Sequence, residues 1–265
     1  MRRVFSFPAM LSAALALLVF LTCRSRFNDP DTWWHLKVGQ TIWETRALPR
    51  ADLLSYTTNN HAWIPHEWLA ELSMYAAYRL GGEQGLLLWL CALASLMVVA
   101  VYVLLSLYAS NAKVALVGGM MVWFFGTVGL AIRPLILGHL LLALELLVLH
   151  LARARDRRWL WALPPLFAVW VNCHGSYALG LSVLGVVTAC SWVEWKAGLI
   201  ECRRWDSRTR KLLAATLALS GAALLANPVG ARLAAYPLDV LLNQPENLAN
   251  VTEWAALDFQ QPRGV

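Results

Sequence analysis

Apolar residues in this chain fall in blocks separated by polar segments. The blocks run over about Phe5–Cys23, Gln84–Tyr108, Val114–Ile132, Leu135–Ala152, Trp159–Cys173, Tyr177–Trp195 and Leu212–Ala226. Several reach 17 residues or more, the lower end of what crosses a hydrocarbon layer of about 30 Å. A backbone facing lipid must satisfy its own hydrogen bonds, so the blocks read as helices. The pattern predicts an all-α polytopic membrane protein, with about seven transmembrane helices in residues 1–226. A long first extracytoplasmic loop, residues 24–83, carries two interfacial helices. Residues 227–265 form a C-terminal extracytoplasmic segment, and Gln261–Val265 reads as the end of a truncated chain rather than of a helix. Pro164 and Pro165 make Trp159–Cys173 the weakest block and predict a kinked helix there.

Composition narrows the class. Hydrophobic residues make up 59% of the 265 and charged residues 14%, against roughly 45–50% and about 25% in soluble domains. A soluble enzyme, a disordered chain and a coiled coil are excluded. The net charge of +6 does not point to nucleic acid, because the basic residues gather at block ends. Thirteen of the 22 lysines and arginines lie in the short segments on one side: Arg2, Arg3, Lys113, Arg153, Arg155, Arg157, Arg158, Lys196, Arg203, Arg204, Arg208, Arg210 and Lys211. That asymmetry places the N-terminus in the cytoplasm and residues 24–83 outside. Thr22-Cys23-Arg24 lacks a small-x-small cleavage pattern, so the first block reads as an uncleaved helix. The five cysteines are scattered and read as packing residues.

The loop at 24–83 is far longer than topology requires, and long connections tend to be functional. It opens with Asn28-Asp29-Pro30-Asp31-Thr32-Trp33-Trp34-His35. Asp31 or Thr32 is placed to cap a helix running to about Thr45, with Trp34, Val38 and Ile42 on one face. Two carboxylates then stand beside a helix start above the bilayer, and simple N-capping competes with a chemical role for each. The loop closes with Trp63-Ile64-Pro65-His66-Glu67-Trp68-Leu69-Ala70-Glu71-Leu72, the second interfacial helix. A zinc-protease motif needs a second histidine four residues after His66, and that position is Ala70. His66 and Glu67 then either face a substrate or begin a capped helix with a solvated Glu67.

Other polar residues fall on the same outer side. Arg133 fills the turn between the third and fourth blocks and suits a phosphate, which a guanidinium grips through two parallel hydrogen bonds. Snorkelling to the surface competes with that role. His139 lies below it. His174, in the turn Asn172–Tyr177, either bonds a ligand or a neighbouring carbonyl. Glu145, near the middle of a block, is a functional candidate by position, with His139 or His150 as partner. The sequon Asn250-Val251-Thr252 carries no weight.

Together these features resemble the GT-C superfamily of integral-membrane glycosyltransferases. The Asp29–Trp34 motif stands where that family's acidic motif follows the first span. The segment Trp63–Leu72 stands where its second interfacial helix leads into the second. More narrowly, Asp29–Gly39, Pro49–Tyr56, Trp63–Glu71, Arg133–Leu141, Trp170–Gly180, Asn227–Pro237 and Glu253–Phe259 are similar to bacterial glycosyltransferase-like membrane proteins. The resemblance implies an inner-membrane enzyme that moves a sugar from a polyprenyl-phosphate carrier to an extracytoplasmic acceptor with inversion. It implies Asp31, with Asp29 second, as general base, and Arg133 on the leaving phosphate. His66, Glu67, His174, Trp33 and Trp34 would line the substrate site. The acidic pair here is spaced Asp-Pro-Asp, unlike the usual one. Some members use a divalent metal and others none. Two other readings are a non-catalytic binder of a lipid-linked glycan or partner, and a transporter using Glu145. One mid-membrane acid without an internal repeat ranks the transporter last.

Overall fold

A computed structural model describes residues 6–23, 29–52, 54–56, 60–127 and 130–244. The readings of Arg2, Arg3, Asn28, the sequon at Asn250, the stretch Glu253–Phe259 and the chain end lie outside those residues. The described chain is mostly helical. Helix α1 (Phe7–Thr22) starts at Ser6, whose hydroxyl accepts from the Ala9 N–H. Helix α2 (Pro30–Thr45) ends where expected but starts earlier. Its cap is Asp29, not Asp31 or Thr32: the residue before a proline is held extended, and the Asp29 carboxylate accepts from the Asp31 N–H.

Helix α3 (Trp68–Ala109) joins the second loop helix to the second apolar block in one kinked element. The kink is at Gly81-Gly82. Gly82 has φ +58°, a left-handed conformation that costs a glycine little because it has no Cβ. Helix α4 (Ala112–Gly126) is capped by Asn111, and α5 (Leu135–Ala154) follows the Arg133-Pro134 turn. The block expected as one kinked helix over Trp159–Cys173 is instead a 3-10 turn (Arg157–Ala162) followed by α6 (Leu163–Trp170). Pro164 and Pro165 sit in the first turn of α6, where a missing N–H loses no intrahelical bond. The prolines therefore begin a helix rather than bend one.

Helix α7 (Tyr177–Cys190) stops short of Trp195. Trp195 opens a small antiparallel hairpin, β1 (Trp195–Ala197) with β2 (Ile200–Cys202), paired Trp195 to Cys202 and Ala197 to Ile200. This corrects the all-α expectation in one place. Gly198, at φ +57°, makes the turn. Helix α8 (Ser207–Ala223), capped by Asp206, and the short α9 (Ala231–Ala234) and α10 (Tyr236–Asn243) complete the described chain.

Each of the seven apolar blocks contains helix, but among the described residues two helices, α3 and α5, are long and apolar enough to cross a membrane. Helices α1, α4 and α7 are apolar but shorter, about 21–24 Å at 1.5 Å per residue. They expose large apolar side chains: Leu17 and Leu21 on α1, Val117, Phe124 and Phe125 on α4, Leu179 and Val186 on α7.

The interior has two parts. In one, Leu15 and Val19 of α1 pack with Leu86, Leu90, Ala94 and Val98 of α3 and Trp123 of α4. In the other, Phe167 and Trp170 of α6 pack with Leu184 of α7 and Leu213 of α8. Helix α5 lies against α3 and reaches the second core. Gly180 lets α7 approach this core, since a Cβ there would crowd Trp170 and the Glu145 carboxylate.

The second core is fastened to α3 through buried Asn172. Its carboxamide oxygen accepts from Trp68 Nε1 at 2.7 Å, and its nitrogen donates to the Ala168 and Ala226 carbonyls. Its backbone oxygen accepts from the Leu69 N–H. Asn172→Ala strands the indole N–H and the Ala226 carbonyl, so it should lower stability by roughly 2–4 kcal/mol. Unfolding in detergent, monitored by tryptophan fluorescence, checks this.

Candidate functional site

The two loop helices meet face to face. Helix α2 buries Leu36, Val38, Gly39 and Ile42, and α3 is the element it packs on. The apolar face predicted to lie on the membrane, Val38 and Ile42, is thus turned into the protein. Trp34 is half-buried and meets Trp63 edge-on, with ring centroids 5.8 Å apart. Trp33 is exposed. Contact is close because residue 39 is glycine: any Cβ there would overlap the Glu71 carbonyl oxygen. The chain between the helices turns back through an Ala51–Ala62 bridge, with the Asp52 N–H donating to the His61 carbonyl.

At the start of α2, buried Thr32 donates its hydroxyl to the Ile132 carbonyl at 3.2 Å. This ties the helix to the Arg133 turn. Arg133 then grips Asp29 with two hydrogen bonds, Nε to Oδ2 at 2.5 Å and Nη2 to Oδ1 at 2.8 Å. The same Nη2 lies 3.1 Å from Asp31 Oδ2. Burial alone would raise the Asp29 pKa. The Arg133 hydrogen bonds and charge, with the Asp31 N–H, outweigh burial and hold it below the ordinary carboxylate range. Asp29 is thus both cap and arginine partner, and snorkelling does not describe Arg133. The Asp31 side chain is 51% exposed and is the carboxylate of the pair open to a second molecule.

One turn further along α2, on the Asp31 face, His35 reaches α3. Its Nδ1 is 3.0 Å from Glu71 Oε1 and 3.6 Å from Glu67 Oε2. Glu67 stands at the α3 N-cap but makes no capping hydrogen bond, and it is buried. The capped helix start with a solvated Glu67 is therefore not what the fold holds. Burial pushes its carboxyl up to about 7, with help from the Glu71 and Asp31 charges and against His35 and Arg133. Burial also raises Glu71, against its hydrogen bond with His35. Burial would lower His35, but the bond to Glu71 and the surrounding carboxylates raise it.

His174 and His66 close the other side. His174 Nδ1 accepts from the Ser176 N–H at 3.0 Å, so the neutral ring carries its proton on Nε2. That atom is 3.3 Å from Glu67 Oε1. Burial pushes His174 down to about 3 and His66 down to about 4. His66 Nε2 is 3.8 Å from Glu67 Oε1, and its ring stacks on Tyr236 of α10 at 4.5 Å. Tyr236 thereby brings α10 against the His66 side of the cluster.

The structure brings Asp29, Asp31, Arg133, Glu67, His66 and His174 into one polar cluster and adds His35, Glu71 and Tyr236, which the sequence reading did not single out. His35 lies four residues after Asp31 and Glu71 four after Glu67, so i, i+4 spacing was the signal for both. Ligand atoms of His35, Glu67 and Glu71 all lie within 4.8 Å of one another. Glu145 stands apart. It is buried between α5 and α7, and neither carboxylate oxygen has a partner among the described residues. His150, one proposed partner, packs against the Tyr108 ring. The other, His139, lines a cleft.

That cleft adjoins the cluster. It holds about 310 Å³ between α3, α4 and α5, lined by Met97, Val101, Val122, Trp123, Leu130, Ile136, Leu142 and Leu146. Arg133 and His139 are its polar members. Comparison with protein-family models, curated proteins and solved structures returns no match to this chain.

Proposed function

We propose that the chain is a membrane glycosyltransferase that takes a sugar from a polyprenyl-phosphate carrier. The observation that supports this best is the apolar cleft ending at Arg133, which itself contacts the exposed Asp31. A long hydrocarbon tail fits a groove with aliphatic and aromatic walls, and a phosphate fits the arginine at its end. In this reading the acceptor hydroxyl attacks the anomeric carbon, and Asp31 takes its proton as the bond forms. The bond from that carbon to the phosphate oxygen breaks, and the configuration inverts. Arg133, oriented by Asp29, stabilises the charge growing on the departing polyprenyl phosphate. Asp29, fully engaged with Arg133, acts by positioning rather than as base. Incubating the full chain with synthetic polyprenyl-phosphate sugars and cell-envelope glycan tests the reading. Release of polyprenyl phosphate that depends on acceptor supports it, and release of none from any donor counts against it.

The same proposal places all seven apolar helical blocks across a bacterial inner membrane, with the N-terminus in the cytoplasm. The exposed apolar faces of α1, α4 and α7 support it, because large apolar patches on a monomer need a partner or a lipid phase. The basic loops at 153–158 and 203–211 would then face the cytoplasm. In a chain freed of its own cysteines, Asn60→Cys should react with a membrane-impermeant thiol reagent in intact spheroplasts. Asp156→Cys should react only after lysis. The reverse pattern would turn the site away from extracytoplasmic substrates.

A further inference from the structure

The cluster of His35, Glu67 and Glu71 holds more acid than its surroundings neutralise. Arg133 is engaged by Asp29 and Asp31. His35 is the imidazole that both buried glutamates share; His174 and His66 also meet Glu67, but burial favours their neutral forms. Glu71 has a side chain only 3% exposed, and its Oε2 is buried with no hydrogen bond among the described residues. A buried acceptor left in that state costs stability unless something binds it.

We propose that these three side chains bind one divalent transition-metal ion of the Zn²⁺ or Mn²⁺ class. The two spacings from His35 fit such an ion. Ligands at about 2.1 Å from a metal stand roughly 3.0 Å apart in octahedral and 3.4 Å apart in tetrahedral arrangements. Nδ1 of His35 is 3.0 Å and 3.6 Å from the two glutamate oxygens. An imidazole among the donors favours a transition metal over Mg²⁺ or Ca²⁺, which prefer oxygen alone. The outer contact is also present. His174, with Nδ1 held by the Ser176 N–H, directs Nε2 at Glu67 Oε1. A hydrogen bond of that kind orients a ligating carboxylate. Three protein donors leave coordination positions open. The ion would stand one helical turn from Asp31. This inference rests on the cluster geometry and not on the glycosyl-transfer reading.

The test is Zn²⁺ titration of the full chain, purified in mild detergent and stripped with a chelator, in competition with a fluorescent zinc indicator. One Zn²⁺ per chain is expected. Glu71→Gln and His35→Gln should each weaken binding at least ~10-fold, while Glu145→Gln, outside the cluster, should leave it unchanged. No uptake by the wild-type chain, or equal affinity in both ligand variants, overturns the proposal. Should those variants fold poorly, Mn²⁺ added to the wild-type chain decides. Pulsed electron paramagnetic resonance should show coupling to one imidazole nitrogen, and bound Mn²⁺ without nitrogen coupling overturns the assignment. Neither readout involves lipid or sugar, so a failure here is separate from a failure of the transferase reading.

Discussion

Asp31→Asn should lower sugar transfer by about 100- to 10,000-fold, the range that a positioned proton acceptor contributes. The loss should fall on turnover rather than on donor binding. The substitution keeps the size of the side chain, and Asp29 still holds Arg133 through two hydrogen bonds. Asp29→Asn should behave differently. It removes the charge that orients Arg133 and weakens the α2 cap, so donor affinity should fall as well as turnover. Initial rates measured against donor concentration separate the two. Full activity in Asp31→Asn would remove Asp31 from the chemistry.

Gly39→Ala should be the most damaging small substitution in the loop. An alanine Cβ would overlap the backbone oxygen of Glu71 and press on the Tyr75 side chain at 3.0 Å. A backbone atom cannot swing aside as a flexible side chain can, so α2 must move off α3. Overpacking costs typically 1–3 kcal/mol, and this contact belongs at the upper end, about 3 kcal/mol. The shift also separates His35 from Glu71, since Gly39 is one turn beyond His35 on the same face. Gly185→Ala is the control, because a Cβ there meets nothing within 4 Å. Unfolding midpoints in detergent should drop for Gly39→Ala and stay level for Gly185→Ala.

Much of the local structure was legible from the residues. Pro30 and the apolar spacing marked α2 to its end at Thr45, and the blocks marked the helices that follow. Errors came where a residue has two uses. Asp29 caps the helix and binds Arg133, and the capping rule alone does not choose among Asp29, Asp31 and Thr32. Pro164 and Pro165 predict a kink from sequence because a proline pair looks alike inside a helix and at its start. The hairpin at 195–202 begins on the last residue of an apolar block and runs into the charged loop that follows it. Its short strands give no periodicity to detect, and the Gly198 turn was its one local signal.

The cluster itself was only half legible. Asp31, Glu67, Arg133 and His174 stood out by residue type and by side of the chain. His35 and Glu71 did not, because their meeting depends on α2 lying across α3, 36 residues apart in sequence. Local spacing gives the face of each helix but not which faces meet. Ala70 at the position of the second histidine removes the zinc-protease motif from the sequence. It says nothing about a donor arriving from another helix.

The proposed function requires that a polyprenyl-phosphate tail occupy the cleft beside Arg133. Native mass spectrometry of the full chain, released from mild detergent, tests this most directly. The wild-type protein should carry a bound species with the mass of a polyprenyl phosphate or its glycosylated form. Arg133→Ala should lose that species while keeping ordinary phospholipids. A wild-type protein that retains only phospholipids, or an Arg133→Ala variant that holds the polyprenyl species equally well, would contradict the account.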